Sequence, residues 1–221
     1  MADAFRMEDA VEFAVNPEPR CPCVLLLDIS KSMRGDPIQA LTKGLQAFHD
    51  DLVRDPLATR RVEVAMITFG REVKIVHDFI SVDEFTPPEL VAGGLTPMGT
   101  AILTALDLLE ARKAVYKQHG VPYYRPWVFM ITDGKPKGEP ESAFELAIRR
   151  VRDDEEHKRC AFFAVAVKGA YVDKLKEISI RPPVELEGLN FVDLFVWLSR
   201  STQQIAHSQV PLPPPGGGNL I

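Results

Sequence analysis

The chain has 221 residues, of which 46% are hydrophobic and 26% charged, a balance that excludes wholesale disorder, a collagen-like repeat and a coiled coil. Its length is enough to bury a substantial core. With 26 Lys and Arg against 31 Asp and Glu the formal net charge is -5, so the overall field offers no footprint for nucleic acid or an anionic membrane surface.

Residues 1–19 read as an N-terminal extension. Met1 to Glu12 carries Asp3, Glu8, Asp9 and Glu12 and lacks the basic and then apolar order of a secretory signal. No apolar run reaches the roughly 18 residues that span a bilayer. Three cysteines, Cys21, Cys23 and Cys160, are too few for a disulfide framework and odd in number. The expectation is a cytoplasmic protein with no membrane anchor. Cys21-Pro22-Cys23 has no second Cys or His pair at ligand spacing and reads as two small buried or edge residues.

Short apolar runs then alternate with longer segments of helical period, the pattern of an α/β fold with a mostly parallel sheet. Val24 to Leu27 is apolar on both faces, as a central parallel strand covered by helices should be. From Pro37, residues Ile38, Leu41, Leu45, Phe48 and Leu52 recur at three or four and predict an amphipathic helix with proline at its start. Val62 to Phe69 is a second strand, and Gly70-Arg71 turns it into Glu72 to Phe79, a hairpin that ends the sheet with an antiparallel edge strand. A loop from Ser81 to Gly94 leads to Leu95-Thr96-Pro97 and a helix with the stripe Ala101, Ile102, Ala105, Leu106 and Leu109. Trp127 to Thr132 is a strand running into Asp133-Gly134, and a helix spans about Glu141 to Val151. The mixed-sign run Arg149 to Arg159 reads as a solvated helix end and connection. A strand at Ala161 to Val167, a short helix near Val172 to Ile178, a strand near Val184 to Leu186 and a last amphipathic helix through Phe191, Leu194, Phe195, Leu198 and Ile205 complete the order. Residues 208–221 turn abruptly to proline and glycine and read as a flexible tail.

Chemistry concentrates where strands end. In Asp28-Ile29-Ser30-Lys31-Ser32, residues two apart point to one side of an extended exit, so Asp28, Ser30 and Ser32 bring three oxygens together. Open α/β sheets place their ligands at that end of the strands. A carboxylate with hydroxyls is a hard oxygen set, suited to Mg²⁺ or Mn²⁺ and poorly to zinc or copper. Taken singly, Asp28 and Ser30 also read as caps of the following helix, and Thr96 before Pro97 as a cap followed by a first-turn proline.

Two later loops, Gly94-Leu95-Thr96-Pro97-Met98-Gly99 and Ile131-Thr132-Asp133-Gly134, add further oxygens. With these three motifs the chain, over about residues 20–207, resembles the von Willebrand factor A (VWA) domain family. That family's metal-ion-dependent adhesion site combines Asp-x-Ser-x-Ser with a threonine and an aspartate from two later loops. The resemblance implies a doubly wound, mostly parallel sheet with one antiparallel edge strand and helices on both faces. It implies a divalent metal held by Asp28, Ser30, Ser32, Thr96 and Asp133, and a partner protein that supplies a carboxylate to the metal. The family usually has glycine between the two serines; here Lys31 stands there, followed by Arg34, and with Lys135 and Lys137 these cations form either a basic rim or merely solvated loop charges.

Within the family, Asn16 to Cys23, Gly35-Asp36-Pro37-Ile38, Leu95 to Ala101, Arg125-Pro126-Trp127 and the proline-rich tail look like bacterial TerY-type proteins of tellurite-resistance and related stress systems. That likeness implies association with a kinase-like protein or a phosphatase. The leading expectation is a non-enzymatic, metal-dependent protein-interaction module. The alternatives are a Mg²⁺-dependent phosphoryl-transfer or hydrolytic enzyme and a metal-free scaffold. Against the enzyme stand the lack of a phosphate-cradling Gly-rich loop and the scatter of His49, His77, His119, His157 and His207.

Overall fold

The structure, a computed structural model, describes residues 13, 15–167, 169–186 and 190–207. The tail at 208–221 and all but a few residues of the extension at 1–19 lie outside the described residues.

β1 (Cys21–Asp28) is buried at all eight positions. Its alternation divides the core: Cys21, Cys23, Leu25 and Leu27 enter one apolar cluster, Val24 and Leu26 the other. A strand apolar on both faces has to be covered on both. On one side lie α1 (Asp36–Leu52), α2 (Pro56–Arg61) and α6 (Phe191–His207), and on the other α3 (Met98–Gln118), α4 (Glu141–Glu156) and α5 (Val172–Ile178). Each fully buried leucine or phenylalanine contributes about 1.5–3 kcal/mol. α1 and α6 approach so closely at Gly44 that a Cβ there would stand 2.6 Å from a ring carbon of Phe195.

β2 (Val62–Phe69), β3 (Val73–Ser81), β4 (Trp127–Thr132), β5 (Ala161–Ala166) and β6 (Val184–Glu185) complete a six-stranded sheet in the order β3-β2-β1-β4-β5-β6. Every neighbouring pair is parallel except β2 and β3, which matches the doubly wound sheet with one antiparallel edge strand. The chain winds outward from β1 to β3, then returns to β4 on the other side of β1. The carboxyl ends of β1 and β4 therefore flank the switch point, where the diverging connections leave a crevice.

At the opposite pole, Arg20 and Arg112 close on Glu63 at the start of β2, with Nε–Oε1 and Nε–Oε2 distances of 2.7 and 2.8 Å. The Tyr116 hydroxyl donates to the same carboxylate. Phe13 lies beneath both guanidiniums, 5.1 and 5.2 Å from ring centroid to Cζ. Nearby, Arg61 grips Glu18 through Nε and Nη2 (2.8 and 2.6 Å) and also donates to the Ala206 carbonyl. The segment entering β1 and the end of α6 are thus tied together at the amino ends of the strands.

The structure differs from expectation in three places. β1 begins at Cys21, three residues before the expected Val24, and both cysteines are buried within it, as their reading allowed, with free thiols; burial pushes the Cys21 thiol up to about 12. α2 was not anticipated, although Asp55 before Pro56 is a strong start signal: the Asp55 carboxylate accepts from the amides of Leu57 and Ala58 at 2.9 and 3.1 Å. The run 149–159 is not simply solvated. α4 continues to Glu156, Asp154 and Glu155 are buried, and Glu155 accepts from the amides of Phe162 and Ile180 (3.2 and 2.8 Å) while pairing with Arg181. A buried carboxylate has to be satisfied in this way.

Candidate metal centre

Asp28 ends β1 and is fully buried. One carboxylate oxygen accepts the Ser30 amide at 2.7 Å and the other accepts the Thr132 hydroxyl at 2.6 Å. Neither donor carries a charge. Burial accordingly pushes the Asp28 carboxyl up to about 6, the hydrogen bonds from Thr132 and Ser30 pull it down, and the neighbouring Asp133 charge adds to the rise.

From there the oxygens run in a chain: Ser30 Oγ lies 3.0 Å from Ser32 Oγ, which donates to Asp133 Oδ1 at 2.8 Å. The third loop arrives at Gly134. A Cβ on this residue would stand 3.1 Å from Thr96 Oγ1 and 3.4 Å from Asp28 Oδ2, so Thr96 and Asp28 both lie against Gly134 and a side chain there would crowd the threonine. All five residues singled out in the sequence, Asp28, Ser30, Ser32, Thr96 and Asp133, therefore meet at the switch point.

None of them caps a helix. The 3-10 turn at Lys31–Met33 and α1 start without a side-chain cap, α1 after Gly35 at φ +82°. α3 takes its cap from another loop: Glu139 accepts from the amides of Gly99 and Thr100 at 2.6 and 2.8 Å, in addition to the Thr100 hydroxyl. A carboxylate suits the positive end of a 21-residue helix, and it leaves the Thr96 hydroxyl out of capping. Thr132 and Gly134 stand in the quoted loop motif without a role of their own there, and Glu139 lies outside every motif. Thr132 had a signal, as the one polar residue of the otherwise apolar strand WVFMIT.

Backbone bonds fix the loops to one another. Gly93 N–H donates to Ile29 O (2.7 Å), Lys31 N–H to Gly94 O (3.3 Å) and Leu95 N–H to Gly70 O (3.2 Å), while Thr96 and Lys137 exchange bonds of 3.0 and 2.9 Å. Around the opening, Lys31, Arg34, Lys135 and Lys137 are exposed; Arg34 reaches the Ala92 carbonyl at 3.4 Å and Lys135 lies 5.0 Å from the centroid of the Tyr171 ring.

The donor set fits a small divalent cation. Adjacent oxygens of an octahedral Mg²⁺ shell, at about 2.0–2.1 Å from the metal, stand about 2.8–3.0 Å apart, which is the spacing of the Ser30, Ser32 and Asp133 oxygens. Two carboxylates balance the charge, and a buried carboxylate supported only by neutral donors gains most from a cation. No group of three or more His, Cys, Asp or Glu suited to a metal occurs among the described residues, and no helix among them is long and apolar enough to cross a membrane.

Solved structures share this architecture. Proximal thread matrix protein 1 from the mussel byssus superposes with a TM-score of 0.56 at 14% identity, over 84% of this chain and 48% of its own. The VWF domain of the pilus tip protein Mfa5 from Porphyromonas gingivalis gives 0.59 at 10% identity, over 89% and 99%. BatB from Bacteroides thetaiotaomicron gives 0.54 at 18%, over 85% and 100%. At these identities the likeness concerns the fold, and the chain spans about half the length of the mussel protein. No curated protein matches the chain. The family model for the von Willebrand factor type A domain matches residues 23–193, a stretch that holds all three loops and all of the sheet but the first two residues of β1, and the protein belongs to that family.

Proposed function

We propose that the protein is a non-enzymatic, metal-dependent interaction module. Asp28, Ser30, Ser32, Thr96 and Asp133 hold Mg²⁺ or Mn²⁺ directly or through water, and a carboxylate from a partner protein completes the shell. The observation that carries this reading is the buried Asp28, which has hydrogen-bond donors but no cationic side chain on it, beside the linked oxygens of Ser30, Ser32 and Asp133. The metal supplies the positive charge that captures the partner's carboxylate. This chain's residues orient it: Thr132 and the Ser30 amide fix the Asp28 oxygens, and Gly134 leaves Thr96 uncrowded. The TerY-like features of the sequence favour a cytoplasmic role in a bacterial tellurite or stress system, with a kinase-like protein or a phosphatase of that system as partner and no part for nucleic acid or membrane.

Calorimetric titration with Mg²⁺ tests the site. Asp133→Ala lowers the affinity at least tenfold and leaves the far-UV spectrum unchanged; an isotherm equal to wild type would remove the assignment. Capture of lysate proteins on the immobilised chain, with Mg²⁺, with chelator and with Asp28→Ala, tests the module. A partner kept only with metal and Asp28 supports the reading, and equal capture in all three supports the metal-free scaffold.

A further inference from the structure

Beside the metal centre lies a second feature with its own shape. An open cavity of about 570 Å³ lies between the β2–β3 turn and the Thr96 loop, lined by Arg71, Glu72, Val73, Leu95, Pro97, Thr100 and the glycines at 70, 94 and 138. Its size falls within the range of sites that take ligands. Leu95, which lines it, precedes Thr96 in the chain.

The walls are fixed before anything binds. A Cβ on Gly94, which sits at φ +88°, would come within 2.2 Å of the Arg71 nitrogen, and one on Gly138, at φ +87°, within 2.7 Å of a Leu95 methyl. The β2–β3 turn and the Thr96 loop are therefore in backbone contact, and Gly138 backs the Leu95 side chain closely. Yet Leu95 is 48% exposed. A lone exposed leucine is ordinary. One held by its neighbours at the wall of a cavity loses little freedom when covered, which removes a main cost of binding.

Charge indicates what covers it. In the loops beside the opening Lys31, Arg34, Arg71, Lys135 and Lys137 are exposed, against exposed Glu72 in the same loops and exposed Asp36 and Glu141 at the adjoining helix starts; Glu139 is engaged at the start of α3. The loops around the opening thus carry more exposed cations than free carboxylates, although the chain as a whole is negative.

We propose that the partner binds through an acidic segment that places a bulky apolar side chain in this cavity, beside the carboxylate it gives to the metal. The proposal rests on the metal-dependent reading above. The occupied cavity fixes which carboxylate is chosen, and the rim cations speed its arrival.

Two blocked, fluorescein-labelled nonapeptides test it. Both carry a central Asp flanked by Glu; one has Phe and the other Ser two residues from the Asp. Binding is read by polarisation in Mg²⁺ and in chelator, on wild type, Leu95→Ser and Asp133→Ala, with Mg²⁺ titration confirming that Leu95→Ser keeps its metal site. The expected result is metal-dependent binding of the Phe peptide about tenfold tighter than of the Ser peptide on wild type, with the gap closed in Leu95→Ser. Metal-dependent binding with equal affinities for the two peptides overturns the cavity's role and leaves the metal centre standing. Binding indifferent to chelator and to Asp133→Ala overturns the metal-dependent reading itself, and no binding of either peptide overturns the proposed partner. Self-association of wild type that Leu95→Ser abolishes, with no gap between the peptides, seats a second copy there and overturns it as well.

Discussion

Two buried carboxylates sit at opposite ends of neighbouring strands and are treated in opposite ways. Glu63, at the start of β2, is met by two guanidiniums and a phenol. Asp28, at the end of β1, is met by a hydroxyl and an amide. The first is a closed ionic knot whose parts exist to satisfy one another. The second carries a charge that the fold has buried without supplying a cation, and that difference is what separates a structural ionic group from one that awaits a ligand.

The contrast breaks most sharply at Glu63. Glu63→Gln removes the buried charge that neutralises two guanidiniums and should cost about 3–5 kcal/mol in urea unfolding, with Mg²⁺ affinity unchanged in whatever remains folded; a loss under about 1 kcal/mol would mean that the knot is not structural. Asp28→Asn should act with the opposite sign in chelator. The folded carboxyl titrates near 6, above its ordinary value of 3.8, so folding favours its protonated form. Both states are protonated below about pH 3.8, a penalty grows as pH rises toward 6, and it persists above. At pH 7.5 the variant should therefore be more stable than wild type by about 1–3 kcal/mol. The advantage should vanish near pH 4, and Mg²⁺ should stabilise only wild type. A variant less stable than wild type at pH 7.5 in chelator would erase the contrast. Thr132→Val sharpens it at the smallest scale: losing one donor to a buried carboxylate should cost about 1 kcal/mol or slightly more and weaken Mg²⁺ binding several-fold, measured by melting and by titration, whereas an unchanged isotherm would confine Thr132 to a packing role.

How far the sequence carried differs between these regions for a physical reason. The period of two in Asp28, Ser30 and Ser32 is local, and so is the apolar character of β1 on both faces, so the sheet, its antiparallel edge at Gly70-Arg71 and the gathering of oxygens at the carboxyl end of β1 were legible together. The knot was not, because Arg20, Glu63 and Arg112 are far apart in the chain and nothing in their neighbours' spacing announces that they meet. Glu155 repeats the lesson: a run of mixed charge looks solvated until Arg181 and the Ile180 amide, some 25 residues on, converge on it. Thr132 lay between, visible as a polar residue in an apolar strand but without a role until Asp28 came to face it across the switch point. Glu139 was invisible as a cap because capping is usually sought next to the helix it serves.

The clasp of Arg61 on Glu18 and the end of α6 has a mechanical consequence. It holds both chain segments at the pole opposite the candidate metal centre, so tension between a partner bound there and a tether on either segment would run lengthwise through the sheet. β1, which leads from Arg20 to Asp28, is bonded along its flanks to β2 and to β4. Such a load acts on these two ladders in shear, so that many bonds must yield at once instead of parting one by one. A pull between the two segments, by contrast, loads the ties at this pole, Asn16 to the Arg60 carbonyl, Arg61 to Glu18 and His207 to Asp55.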